Sequence, residues 1–306
     1  MSWMDYLKSD PIPEILGSGD LGLINRINRD ILDIPAGPEI PMTDDSQYKT
    51  LIRRQKPDGS WRESGRKKNE RNWTFITTLR SLNILYDLGC RGSDEVFENG
   101  AKYLIGTQTA QGDFRGAYGE DIPSPDYTGM VIDILFRSGN EFLDSAYSGM
   151  KWLIENRRSD GGWAIPILRS NSKKDPSSHM VTGMALRAFP SDPKKIYSTE
   201  ATKAGELLAK RIFKADKYPD RRQPEYWGKL SYPYRFTDAL SALDVLGKLG
   251  FDISTGRMKR AFDWLIKQQD ANGFWQTDFQ KKRMEPDLWL TYTALRVIKF
   301  FAEKEG

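Results

Sequence analysis

Four regularly placed aromatic side chains lead, twelve residues on, to four positions: Phe114 to Asp126, Trp163 to Asp175, Trp275 to Asp287 and Trp61 to Trp73. In a fifth, less regular place Trp227 precedes Asp238 by eleven. Two chemistries suit an Asp there. At a helix start its carboxylate caps free N–H groups and meets the positive end of the helix. Pro125-Asp126, Asp175-Pro176 and Pro286-Asp287 all read as helix starts. At the mouth of an apolar cavity a carboxyl can instead act as general acid or base, and Asp126 is the candidate. Asp287, Trp73, Tyr127 and Trp289 would share that mouth, the aromatic faces stabilising cations.

A second cluster is Arg221-Arg222-Gln223-Pro224-Glu225-Tyr226-Trp227 followed by Tyr232-Pro233-Tyr234-Arg235. Arg222, Tyr226, Trp227, Tyr234 and Arg235 could bind a diphosphate or carboxylate head group and cover its tail. The alternative is a packed surface loop of Arg–Glu pairs and wedged aromatics. Arg62, Arg66, Lys67, Lys68 and Arg71 read as a solvated loop. Glu120, Asp121 and Asp126 offer paired carboxylates of the kind carbohydrate chemistry uses. For metal the chain has one Cys and one His. Cys90 falls at the end of one apolar helix and His179 near the start of another. Zinc needs three or four converging ligands, so neither a metal nor another cofactor is expected.

The elements that must position these residues announce themselves by repetition. Leu51-Ile52-Arg53-Arg54-Gln55-Lys56-Pro57-Asp58-Gly59-Ser60-Trp61 has the form L-I-x-x-Q-x-x-x-G-x-W. Copies follow at Leu104, Ile105, Gln108, Gly112, Phe114; at Leu153, Ile154, Arg157, Gly161, Trp163; and at Leu265, Ile266, Gln269, Gly273, Trp275. A degenerate copy falls at Leu207-Leu208, with Trp227 after an enlarged loop. A recurrence of about fifty residues is that of stacked helical hairpins, none of which buries its apolar face alone. Leu-Ile closes an amphipathic helix, Gly ends it in a left-handed cap, and Gln and Trp are mortar between helices.

Helices therefore come in pairs. The first members cover roughly 46–55, 93–108, 141–157, 199–213 and 256–269. The more apolar second members cover roughly 73–88, 126–137, 177–189, 237–249 and 288–303, and read as buried on most sides. Residues 1–46 form an N-terminal helical appendage able to complete a ring whose body is 47–306. Pro35, Pro38 and Pro41 make an extended connection between them. A net charge of +4 without a basic run argues against nucleic acid as a partner. The chain has no bilayer-spanning apolar stretch and no secretory leader is expected, which reads as cytoplasmic, with peripheral membrane contact left open.

The repeated signature resembles the QW motif of squalene cyclases, in the superfamily of terpene cyclases and protein prenyltransferase beta subunits. The resemblance spans about residues 47–303. It implies an all-α fold, an α/α toroid round an apolar cavity. Tyr218-Pro219-Asp220-Arg221-Arg222-Gln223-Pro224-Glu225-Tyr226-Trp227 is also similar to a stretch in single-toroid prokaryotic proteins. The prenyltransferase zinc ligands are absent: no Asp lies two residues before Cys90. Protonating cyclases of the superfamily use Asp-x-Asp-Asp. The matching place here is Ser124-Pro125-Asp126-Tyr127, where only the middle Asp, the family's proton donor, is retained. The magnesium-binding Asp-Asp-x-x-Asp is absent.

The resemblance implies a hydrophobic, isoprenoid-like partner and metal-independent, acid-initiated cyclisation by Asp126. The alternatives are a non-catalytic lipid-binding or scaffold toroid and a carbohydrate-active α/α barrel.

Overall fold

A computed structural model describes residues 2–34, 43, 45–62, 70–165, 173–218, 222–231, 235–254, 256–278 and 287–305. Regular structure among them is helical, with one isolated bridge between Gln108 and Phe114. The chain divides into two compact units, Thr43–Leu207 and the discontinuous Met1–Met42 with Leu208–Gly306.

Numbered in chain order after the two helices of the N-terminal stretch, the continuous unit contains α3 (Ser46–Arg54), α4 (Glu70–Leu88), α5 (Glu95–Ile105), α6 (Pro125–Ser138), α7 (Leu143–Glu155) and α8 (His179–Leu186). The next helix, α9 (Ser198–Ala209), carries the chain across the division. Helices α5 and α7 are amphipathic: α5 buries Val96, Phe97, Gly100, Ala101 and Leu104 on one face. Every residue of α8 is buried, and α6 is buried from Pro125 to Ile132 without interruption. Helices so apolar satisfy their backbone internally and must be covered all round. Helix α6 packs on α4, α7 and α8. A Cβ on Gly129 would lie 2.5 Å from Ala185 Cα, so α6 and α8 touch backbone to backbone.

The other unit begins with a 3-10 turn at Trp3–Tyr6, then α1 (Ile12–Leu16) and α2 (Leu21–Asp30). After the division come a 3-10 turn at Pro224–Gly228, α10 (Ala239–Lys248), α11 (Gly256–Lys267) and α12 (Leu288–Glu305). Helix α12 packs against α2, α10, α11 and the first turn. Its polar residues meet the N-terminal helices: Trp289 Nε1 donates to Asp20 Oδ2 at 2.8 Å, the Tyr292 hydroxyl donates to Asp30, and Lys299 Nζ donates to the Ile31 carbonyl at 3.0 Å. Asp20 also caps α2 through Leu23 N–H.

The signature builds the same joint each time. Trp61, Trp163 and Trp275 each donate Nε1–H to the carbonyl ten residues back, of Leu51, Leu153 and Leu265, at 2.8 Å. The Gln amide bonds twice, once to its own loop and once to the next helical pair. Gln55 reaches Gly59 O and Val96 O, and Gln108 reaches Gly112 O and Ser145 O. In the copy with Arg, Arg157 reaches Glu200 O at 3.3 Å. Gln269 reaches Gly273 O and, at 2.9 Å, Ser9 O. Residues 8–9 thus take, in the last copy, the place that a following first helix takes in the others.

The glycines differ from the expected caps. Helix α3 ends at Arg54 with Gln55 as its cap, and α5 ends at Ile105 with Gly106. Gly59 and Gly112 are left-handed (φ +83° and +110°) in the turn beyond. There the chain must reverse against the neighbouring helix, and a Cβ on Gly59 would meet Asn99 O at 2.1 Å.

Candidate functional site

Asp126 is the second residue of α6 and is fully buried. It does not cap the helix. The N-cap is Ser124, whose hydroxyl donates instead to the Phe114 carbonyl at 3.2 Å. With Pro125 at the first helical position, the carboxyl of Asp126 is left for other partners. Its Oδ2 accepts from the Tyr118 hydroxyl at 2.6 Å. Tyr118 comes from the loop between α5 and α6. Its ring meets that of Tyr127 edge-on at 5.5 Å, and Tyr127 meets Phe75 of α4 edge-on at 6.1 Å. The result is a buried carboxyl held from one side by a phenol, beside three aromatic rings. Such a group can give or take a proton away from bulk water.

Phe75 also forms a wall of a cavity of about 500 Å³. This cavity lies among the start of α4, the end of α5 and the loop carrying Tyr118. Gly116 shares the wall with Phe75, and a Cβ there would come within 2.9 Å of the Phe75 ring. Arg71 and Glu120 form an ion pair among the lining residues.

The other expected site residues are divided between the two units. Trp73, half-buried on α4, has the Arg80 guanidinium 5.8 Å from its ring centre. Asp175 does not start a helix; it precedes α8 and lies 4.0 Å from Arg158. Asp287 caps α12, accepting from Leu290 N–H at 3.1 Å, and Trp289 is tied to Asp20 as above. Asp238 is likewise a cap, in a reciprocal pair with Ser241. Position twelve therefore serves different ends in different copies.

In the arginine-rich stretch, Arg222 is exposed. Trp227 is buried, donating Nε1–H to the Lys214 carbonyl at 3.0 Å. Tyr226 has the Lys229 ammonium 4.3 Å from its ring centre, and Arg235 is half-buried. Tyr234 lies outside the described residues. Glu120 and Asp121 are exposed whereas Asp126 is not.

Sequence reading missed one constant of the architecture. The backbone N–H of each signature aromatic donates at 3.1 Å to a threonine hydroxyl on the helix after it: Trp61 to Thr78, Phe114 to Thr128, Trp163 to Thr182 and Trp275 to Thr291. Three of these threonines are the fourth residue of their helix, an alignment that could have exposed them. Thr128 brings the Phe114 strand of the loop down onto α6 two residues from Asp126, and so helps fix the carboxyl's surroundings.

No family model matches the chain, and no curated protein is similar to it in sequence. Solved structures are similar in fold. A protein from Actinoplanes is 14% identical, with 92% of this chain and 89% of that one covered at a TM-score of 0.50. The type II terpene cyclase MstE from Scytonema, in complex with its substrate geranylgeranyl dihydroxybenzoate, is 12% identical over 92% of this chain and 87% of its own, also at 0.50. A polysaccharide lyase is 12% identical over 99% of this chain at 0.48. The likeness to the first two shows the fold, a terpene cyclase-like one of the α/α toroid class, and nothing finer.

Proposed function

We propose that a chain with this terpene cyclase-like fold binds an isoprenoid-like hydrophobic molecule and cyclises it by protonation from Asp126. The supporting observation is the buried Asp126 carboxyl, hydrogen-bonded to Tyr118 and set beside the rings of Phe75 and Tyr127. With Tyr118 donating to Oδ2, the acid's own proton belongs on Oδ1. Transfer of that proton to a substrate alkene uses the alkene's π electrons to form the new C–H bond and leaves a carbocation. The next alkene closes the ring by attack on that cation, and a final proton loss to water restores neutrality. Asp126 is left as a carboxylate that Tyr118 stabilises until solvent reprotonates it. Ring faces near the cation favour it by about 0.5–2 kcal/mol each.

Incubation with squalene, polyprenyl diphosphates and geranylgeranyl dihydroxybenzoate, followed by mass spectrometry, tests the reading. A cyclised product is expected from the native chain and none from Asp126→Asn. Product from that variant at the native rate removes the role assigned to Asp126.

A second reading is binding without turnover. It is favoured by the flanking positions: Ser124 and Tyr127 carry no carboxyl, so neither supplies the second acid that would help hold Asp126 protonated. Native mass spectrometry showing a retained lipid, with no product formed, would choose it.

A further inference from the structure

The geometry points to a separate binding site for an amphiphilic oxyanion in the cavity of about 500 Å³ formed by α4, α5 and the loop after α5. This goes beyond the cyclisation reading and stands whether or not Asp126 turns substrate over.

The polar anchor is Arg115. Its Nε donates to Asp113 Oδ2 at 2.8 Å, and its backbone N–H to the Thr107 carbonyl at 3.1 Å. Asp113 is itself fully buried, its other oxygen accepting from the Thr109 hydroxyl. One edge of the guanidinium is thereby fixed by a carboxylate that cannot move. The two terminal nitrogens make no hydrogen bond with any described residue, and Arg115 lines the cavity. A guanidinium held by Nε at the edge of a cavity has two terminal nitrogens that suit two oxygens of a phosphate or carboxylate.

The rest of the lining agrees. Lys102, paired with Glu98 at 2.6 Å, and Arg71 bring positive charge to the lining, and Glu120 is the one carboxylate among the lining residues. Glu120 pairs with Arg71 and so competes with any anion for it. Phe75 and the half-buried Tyr103 supply an apolar wall for a short tail. The volume falls in the range of about 300–1,000 Å³ that small-molecule sites occupy.

Titration calorimetry on the full chain in metal-free, low-salt buffer tests the proposal. The probes are geranyl diphosphate, geranic acid, neutral geraniol and inorganic pyrophosphate. At least one of the first two should bind about tenfold or more tightly than geraniol, and tighter than pyrophosphate. Lys102→Gln and Arg115→Lys should each weaken that binding by about fivefold or more. Glu120→Gln should tighten it severalfold, a change of sign that a damaged fold cannot produce. Asp126→Asn should leave it unchanged. Geraniol or pyrophosphate binding as well as the amphiphilic anions overturns the proposal. So does an affinity unmoved by all three cavity substitutions, or one abolished by Asp126→Asn.

Discussion

The phenol of Tyr118 and the carboxyl of Asp126 meet at 2.6 Å across eight residues of chain, the first in a loop and the second inside a helix. That bond fixes the loop to α6 at the one buried acid of the candidate site. Tyr118→Phe withdraws a donor from a buried carboxyl, and should lower unfolding free energy by about 1–3 kcal/mol in urea titrations. Asp126→Asn keeps an acceptor for Tyr118 and should cost less. If product formation is found, it should disappear in Asp126→Asn while that variant remains folded by circular dichroism.

The signature glycines separate two costs. Gly59 and Gly161 are both left-handed, at φ +83° and +97°. A Cβ at Gly59 would strike Asn99 O, whereas at Gly161 the nearest atoms are 3.9 Å away. Gly161→Ala should therefore cost only the backbone term, about 1–2 kcal/mol. Gly59→Ala should cost clearly more, because a helix backbone has to shift. Equal losses in chemical denaturation would contradict this.

Thr182 accepts the backbone N–H of Trp163 at 3.1 Å in a wholly buried setting. Thr182→Val is nearly isosteric and leaves that N–H unsatisfied, for a loss of about 1–3 kcal/mol. Thr182→Ser keeps the hydroxyl and should recover most of it. The contrast between the two, read from thermal unfolding, isolates the hydrogen bond from packing.

Burial pushes the Asp30 carboxyl up, but hydrogen bonds from Arg29 and Tyr292 and the nearby positive charges outweigh it and hold it below the ordinary carboxylate range. A depressed folded-state pKa contributes stability above the unfolded value and loses it as pH falls through the folded one. Asp30→Asn should then destabilise the chain at neutral pH, and the gap to the native chain should close in acid, below about pH 4. A gap that is constant with pH would show that Asp30 does not carry this linkage.

Burial, with the charge of Asp94 adding to it, pushes the Cys90 thiol up to about 12. At pH 8 it should resist iodoacetamide in the native chain and react fully once unfolded. Mass spectrometry of the alkylated chain reads this directly.

The residues show why some of this was legible in the sequence and some was not. The helical pairs were, because Leu104, Phe114, Leu153 and Trp163 repeat a strict local spacing and each joint is closed by bonds such as Trp163 Nε1 to the Leu153 carbonyl, ten residues back. The threonine contacts were not, because the separations from the aromatic are 17, 14, 19 and 16 residues: the loop between varies and only the geometry is constant. Equal spacing did not mean equal capping. Asp126 and Asp287 share an offset, yet Ser124 is the N-cap residue in one case and Asp287 in the other, and Asp126 accepts from a phenol. Arg115 gave no signal at all, since its anchoring rests on a buried Asp113 two residues away that reads as an ordinary surface charge.

Lys8 donates its backbone N–H to Gln269 Oε1 at 2.6 Å, and Ser9 accepts from the same side chain. On a ribosome that partner arrives late. At roughly 5–20 residues per second the emerging amino terminus waits some tens of seconds for the glutamine that holds it. The stretch 43–207 has all its own helices by then, so it can settle during translation, while the other unit condenses only after residue 269 has emerged. A nascent chain stalled before residue 269 should therefore leave its first helices open to protease even when the middle of the polypeptide already resists.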